Sequence, residues 1–142
     1  MNTQAPPPKP SGTPLVRAGA LTIGAVAVPH PVVLAPMTGV SDLPFRQLAL
    51  DLGAGMVVSE MVASEELVKE RPDVRRRAAR VAQKPFVIQL VGREAKWMAE
   101  GARIAEGLGA DIVDINMGCP AKEVTGKLSG SALMRDLDQA VD

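Results

Sequence analysis

Four short apolar runs punctuate the chain: "PVVLAPM" at 31–37, "GMVVSEM" at 55–61, "PFVIQLVG" at 85–92 and "DIVDINMG" at 111–118. Polar stretches with helix-like spacing separate them, at intervals of roughly 25–30 residues, the rhythm of repeated βα units. Runs of Val, Ile and Leu without strict alternation suit parallel strands buried on both faces. The pattern therefore predicts an α/β fold with four βα units. Ahead of them, "LTIGAVAV" reads as a short β-hairpin turning near Gly24. "MNTQAPPPKPSGTP", residues 1–14, reads as a disordered Pro-rich leader outside the fold.

Helix signals sharpen the picture. Ser41 or Asp42 can cap the first helix, Pro44 is tolerated in its first turn and Gly53 can end it. Phe45, Leu48, Ala49 and Leu52 share one face. Ser64 followed by "EEL" starts a second helix, which Pro72 interrupts and "DVRRRAARVA" resumes over 73–82. The third starts near Glu94 and stops at Gly107 or Gly109, with Ala95, Met98, Ala99 and Ala102 forming a stripe of small residues toward the sheet. The chain closes in "MRDLDQAVD", a helical pattern without a stop signal. Four βα units are half of a (β/α)8 TIM barrel, which needs about 250 residues. Residues 15–142 are thus expected to be the N-terminal half of such a barrel. A flavodoxin-like open sheet is the alternative, but it usually announces an early glycine-rich phosphate loop, and the sequence has none.

Composition narrows the chemistry. Of the 142 residues only 2% are aromatic, so the core must come from Val, Ile, Leu, Ala and Met. Sixteen basic residues balance sixteen acidic ones, so a polyanion would have to meet a local patch. Cys119 is the only cysteine and His30 the only histidine, which removes an internal disulfide, argues against a metal site and suits a reducing, cytoplasmic setting. Arg17 before "AGALTIGAVAV" imitates a signal peptide, but Thr22 and Gly24 break the apolar stretch. No run is long enough to span a membrane.

In a barrel of this type the active site lies at the carboxyl ends of the strands, and those ends carry residues that core packing does not want. The runs end in "APMTGVSD", "SEM", Gln89 with Gly92, and "NMGCP". An amide between Val87, Ile88, Leu90 and Val91 needs a ligand or a neighbour to satisfy it. Asp114 and Asn116, two residues apart on a strand, point to one side. The set serves either a ligand or a private hydrogen-bond network. Cys119 has the same two readings, because free cysteine is often a small buried hydrophobe. It stands past a strand end, however, after a glycine that admits close approach and before a proline that fixes the turn. A thiol in water is mostly protonated at neutral pH, and with no histidine nearby in sequence a proton-donating role is favoured over attack. Arg75, Arg76, Arg77 and Arg80 read as a solvated helix face in preference to an RNA contact.

"LAPMTGVSDLPFRQL", "VSEM", "VIQLVG" and "DINMGCPAKEVTGKLSGSALM", in this order and spacing, resemble the tRNA-dihydrouridine synthase family, particularly its bacterial branch. The resemblance runs from about Leu21 to the end of the sequence. It implies an FMN-dependent TIM barrel that uses reduced flavin, regenerated by NADPH, to saturate the C5–C6 bond of uridines in tRNA. By position, it implies that Pro36, Met37 and Thr38 line the flavin through backbone contacts and that Gln89 hydrogen-bonds its ring. It further implies that Asn116 holds the uracil edge and that Cys119 protonates C5 while flavin delivers hydride to C6. Lys122 and Lys127 lie close after the cysteine, and Lys127, nearer the expected pocket, is favoured over the arginine run as an RNA contact that binds substrate. The target base must be extruded into such a pocket.

The departure from the family is length. Its later strands bring a further lysine, a histidine and the loops that hold the flavin phosphate, and a C-terminal helical domain helps grip tRNA. The isolated polypeptide is therefore expected to bind FMN poorly. Reduction of a free pyrimidine is the enzymatic alternative, although relatives of that type show Asn-x-Ser-Cys-Pro where this sequence has Gly118. Ene-reductases share the Ala-Pro-Met-Thr opening without this cysteine motif. An inactive, RNA-binding remnant is the non-catalytic alternative.

Overall fold

Parallel pairing organises the chain in the computed structural model, which describes residues 19–142. The expected leader and Arg17 lie outside the described residues. Two antiparallel strands come first, β1 (Leu21–Ile23) and β2 (Val26–Val28), joined through Gly24 at φ +56°. The main sheet then begins with β3 (Val33–Leu34), parallel to β4 (Met56–Val58) with Val33 opposite Met56. β6 (Phe86–Val91) is the central strand. Along one edge it pairs with β4, Val57 opposite Phe86, and further on with β5 (Val62–Ala63), Val62 opposite Leu90. Along the other it pairs with β7 (Ile112–Ile115), placing Gln89 opposite Asp114. With β4 and β5 taken as one interrupted strand along the same edge of β6, neighbours follow chain order, and among the described residues the sheet has no switch point of the kind that defines doubly wound folds.

The run at 55–61 is split where the sequence suggested one strand. Ser59, fully buried, accepts the Gln89 N–H at 2.9 Å and donates to the Glu60 carbonyl at 2.8 Å. A side-chain hydroxyl thus replaces a ladder carbonyl, and regular pairing resumes only at Val62.

Alternation along β6 sorts the core. Phe86, Ile88 and Leu90 join Val57, Leu67, Val74 and Ala105 on the helical side. Val87 packs with Met56, Val58 and the hairpin's Val28 on the other side, at the amino ends of the strands. Gln89 follows Val87 on that second face by the two-residue period of a strand.

The helices differ in detail from the sequence pattern. Asp42 caps α1 (Leu43–Asp51) by accepting the Phe45 N–H at 3.0 Å, and Gly53 at φ +103° follows its end. Of its expected apolar face only Ala49 packs against the core; Phe45, Leu48 and Leu52 are exposed, Leu52 by 80%. Arg46, 1% exposed, anchors the opposite side of the helix: its guanidinium reaches the carbonyls of Ser41, Arg77 and Ala79 at 3.2, 3.4 and 3.1 Å. Ala49 and Leu50, one turn on, lie on that same side and pack against the core.

The same bonds explain why the helix expected over 73–82 stops early. α2 (Ser64–Val68) and α3 (Pro72–Arg77) are short, and the carbonyls of Arg77 and Ala79 are already claimed by Arg46. α4 (Ala95–Gly107) spans its expected range but uses another face, burying Gly101 and Ala105 beside Met98 and Ala102 while Ala99 stays exposed. Its closest approach is to α2 at Gly101, where an added Cβ would lie 3.2 Å from Ser64 Cβ. A glycine leaves no mark in an apolar stripe, so the pattern missed this contact. α5 (Lys122–Thr125), a 3-10 turn (Gly130–Arg135) and α6 (Leu137–Val141) follow β7.

Candidate functional site

The carboxyl ends of β3, β6 and β7 open onto a cleft of about 870 Å³, a volume in the range of small-molecule sites. Pro36, Thr38, Met61, Gln89, Asn116 and Cys119 are among its walls, with Ile115 and Met117 adding apolar surface. Five of the seven residues singled out from sequence therefore meet at one place. Met37 and Lys127 do not line it.

Three polar side chains on neighbouring strands form a directed chain. The backbone N–H groups of Cys119 and Gly118 donate to Asn116 Oδ1 at 3.0 and 3.3 Å. Asn116 Nδ2 donates to Gln89 Oε1 at 2.9 Å, and Gln89 Nε2 donates to Asp114 Oδ2 at 2.6 Å. The private network weighed from sequence thus exists, but it does not exhaust its members. Gln89 keeps one N–H and one acceptor lone pair. Asn116 keeps one N–H only, because both lone pairs of its oxygen are used by the loop. The arrangement fixes the turn that holds the thiol relative to the strand that holds the amide.

Cys119 is half-buried on the cleft wall, and its carbonyl accepts the Ser131 N–H at 3.0 Å. Gly130, at φ +60°, backs it so closely that an added Cβ would lie 2.7 Å from the Cys119 oxygen. On the ligand side Gly118 is open: a Cβ there would meet nothing within 4 Å. The sequence marked Cys119 and Gly118 but not Gly130, whose role depends on a contact across eleven positions.

The first strand's loop is also braced. Ser41 does not cap α1; its hydroxyl accepts the Met37 N–H at 2.8 Å and donates to the Met37 carbonyl at 3.0 Å. Met37's backbone polar groups are therefore occupied. Its side chain is exposed. Glu60 accepts the Gly39 N–H, tying this loop to the segment after β4. Burial pulls the Arg46 guanidinium below its ordinary pKa, opposed by the charges of Glu60 and Asp42.

Lys127 lies on an adjoining cleft of about 350 Å³, with Ser64, Arg93, Trp97 and Glu65. Glu123 and Val124 belong to both clefts. Arg77 is the residue that sequence reasoning passed over: read as part of a solvated run, it reaches the wall that carries Cys119. No sequence signal separates it from Arg75 and Arg76. Among the described residues no helix is long and apolar enough to cross a membrane.

Comparison with known proteins follows the same residues. The dihydrouridine synthase (Dus) family model matches residues 33–142. A probable tRNA-dihydrouridine synthase of Rhizobium leguminosarum bv. phaseoli is 59% identical over 116 residues, 82% of this chain and 37% of the relative. One of Rhodobacter capsulatus is 53% identical over 123 residues, 85% of this chain and 38% of the relative. The tRNA-dihydrouridine synthase B of Pseudomonas syringae pv. tomato is 48% identical over 118 residues, 82% of this chain and 35% of the relative. The chain thus spans somewhat over a third of the length of these curated relatives.

Proposed function

The chain belongs to the dihydrouridine synthase family, and from that premise we propose that the protein carrying it reduces the C5–C6 bond of uridine in tRNA with FMN as cofactor and NADPH as reductant. The observation that supports the reading is the meeting of Cys119, Gln89 and Asn116 on one cleft at the carboxyl ends of parallel strands. The sequential strand order, 1-2-3-4 with one broken strand, is that of half an eight-stranded barrel. The described residues are on this reading part of the FMN-binding barrel.

The cleft suits a flavin ring. Pro36, Met61, Ile115 and Met117 offer apolar surface, Gln89 offers its remaining N–H and lone pair to the polar edge of the ring, and Gly118 leaves backbone open to approach. Pro36 and Thr38 form the wall beside it, while Met37 holds the turn through Ser41. Reduced flavin, recharged by NADPH, supplies hydride to this cleft when bound.

The chain's own contribution is to hold the base and move a proton. Asn116 has only a donor left, so it binds a uracil carbonyl oxygen and not the N3–H. Cys119 gives its S–H proton to C5 as C6 takes hydride, which avoids a free carbanion, and the thiolate regains a proton from solvent. Lys127, one cleft away, binds RNA outside the base pocket. Cys119→Ala in the complete protein is expected to lower dihydrouridine formation in an unmodified tRNA transcript by about 10²-fold or more, while NADPH still bleaches the flavin. Equal turnover by the variant, or faster reduction of free uracil than of tRNA by the parent, would overturn the reading.

A further inference from the structure

Arg77 is the last residue of α3, yet it lines the cleft with Thr38, Gln89 and Cys119. It is half-buried, and among the described residues its guanidinium has no ion-pair partner. Three nearby cations are engaged: Arg71 with Glu66 and Asp73, Arg75 with Glu70, and Arg80 over the Phe86 ring; Arg76, like Arg77, has no ion-pair partner among the described residues but is exposed and does not line the cleft. Asp73, the carboxylate one helical turn before Arg77, is held by Arg71 at 3.2 Å. Glu123, the other charged residue on the cleft wall, forms no ion pair with Arg77 and also borders the neighbouring cleft beside Lys127.

The position of Arg77 is fixed from behind. Its carbonyl and that of Ala79 both accept hydrogen bonds from buried Arg46, so α3 ends where it does and the Arg77 side chain stands at the cleft. Five unengaged N–H donors at a cleft wall suit a planar oxyanion, above all a phosphate. Arg76, the preceding residue, is exposed and adds positive charge to the same short helix, which a polyanion can meet from outside the cleft.

We propose that Arg77 is a substrate-binding residue, donating to a phosphodiester oxygen of the RNA nucleotide that flanks the uridine beneath Cys119. The assignment rests on the uridine reductase reading above. It differs from a solvated helix face in predicting a salt-dependent contribution to RNA affinity.

The test uses the complete protein and an unmodified tRNA transcript, with Kd measured across a series of salt concentrations. Arg77→Ala is expected to weaken binding roughly tenfold and to reduce the slope of log K against log salt by about 0.7–0.9, one phosphate contact. Arg103→Ala, which removes a charge on the outer side of α4, serves as the control and leaves the slope unchanged. Arg77→Lys is expected to keep the slope and recover part of the affinity, which distinguishes a lost contact from a folding defect. An unchanged slope and affinity in Arg77→Ala overturns the proposal. So does loss of bound FMN with the slope intact, which would assign Arg77 to the flavin phosphate. A parent protein that neither binds nor reduces the transcript would instead sink the reductase reading itself.

Discussion

Replacing Gly130 by alanine tests how tightly the thiol is held. Gly130 sits at φ +60°, where an L side chain costs about 1–2 kcal/mol. The new methyl would also lie 2.7 Å from both the Cys119 carbonyl oxygen and Val124 Cγ1, well inside ordinary contact. Backbone cannot rotate away as a flexible side chain does, so the Cys119 loop must retreat by roughly half an ångström, at an overpacking cost of about 1–3 kcal/mol. Together these predict a loss of about 2–5 kcal/mol in urea unfolding. Retreat would strain the Ser131 N–H bond to the same carbonyl and the two N–H bonds to Asn116, so the sulfur moves too. On the proposed function, a misplacement of this size lowers turnover by about tenfold while bleaching of flavin by NADPH continues. Gly118→Ala is the matched comparison: its Cβ meets nothing, so folding stability should hold, and any loss would appear in substrate or flavin affinity. Parental stability and turnover in Gly130→Ala would refute the claim that this glycine positions the thiol.

Two further substitutions probe the frame. Arg46→Met should cost about 3 kcal/mol in urea unfolding, because carbonyls of Ser41, Arg77 and Ala79 lose their shared donor; a cost near zero would show that solvent replaces it. Asp111 anchors the start of β6, accepting the Phe86 N–H at 2.8 Å and the Lys84 ammonium at 2.9 Å, and these bonds, the backbone one first, hold its carboxyl below the ordinary range. Its stabilisation is therefore fully present above the unfolded-state value of about 3.9 and is lost as pH falls through the lower folded value. Asp111→Asn should remove that acid-limb dependence at a cost of about 1 kcal/mol at neutral pH, read from unfolding midpoints between pH 2 and 7.

Much of this protein is legible without coordinates. Continuous apolar runs such as "PFVIQL" can hardly be anything but central parallel strands, since a strand covered on both faces has no polar side. Asp42, Pro44 and Gly53 delimit α1 by local chemistry, and Gln89 marks the cleft end of its strand because an unpaired amide does not suit an aliphatic core. Local rules fail where a distant acceptor decides. Arg46 ties α1 to carbonyls more than thirty residues away, and Ser59 breaks a strand by taking an N–H from Gln89.

Element order, the strand ends and the residue types at the cleft follow from the chain's own periodicity and from the cost of burying an amide or breaking a helix. Assembly is different. That Asn116 spends its oxygen on the Cys119 loop, that Lys127 faces a neighbouring cleft and that Arg77 alone of its run lines the cleft that carries Cys119 are set by through-space contacts between units. Hydrogen bonds act over about 3 Å, and no spacing along a chain encodes which distant groups will arrive within that reach.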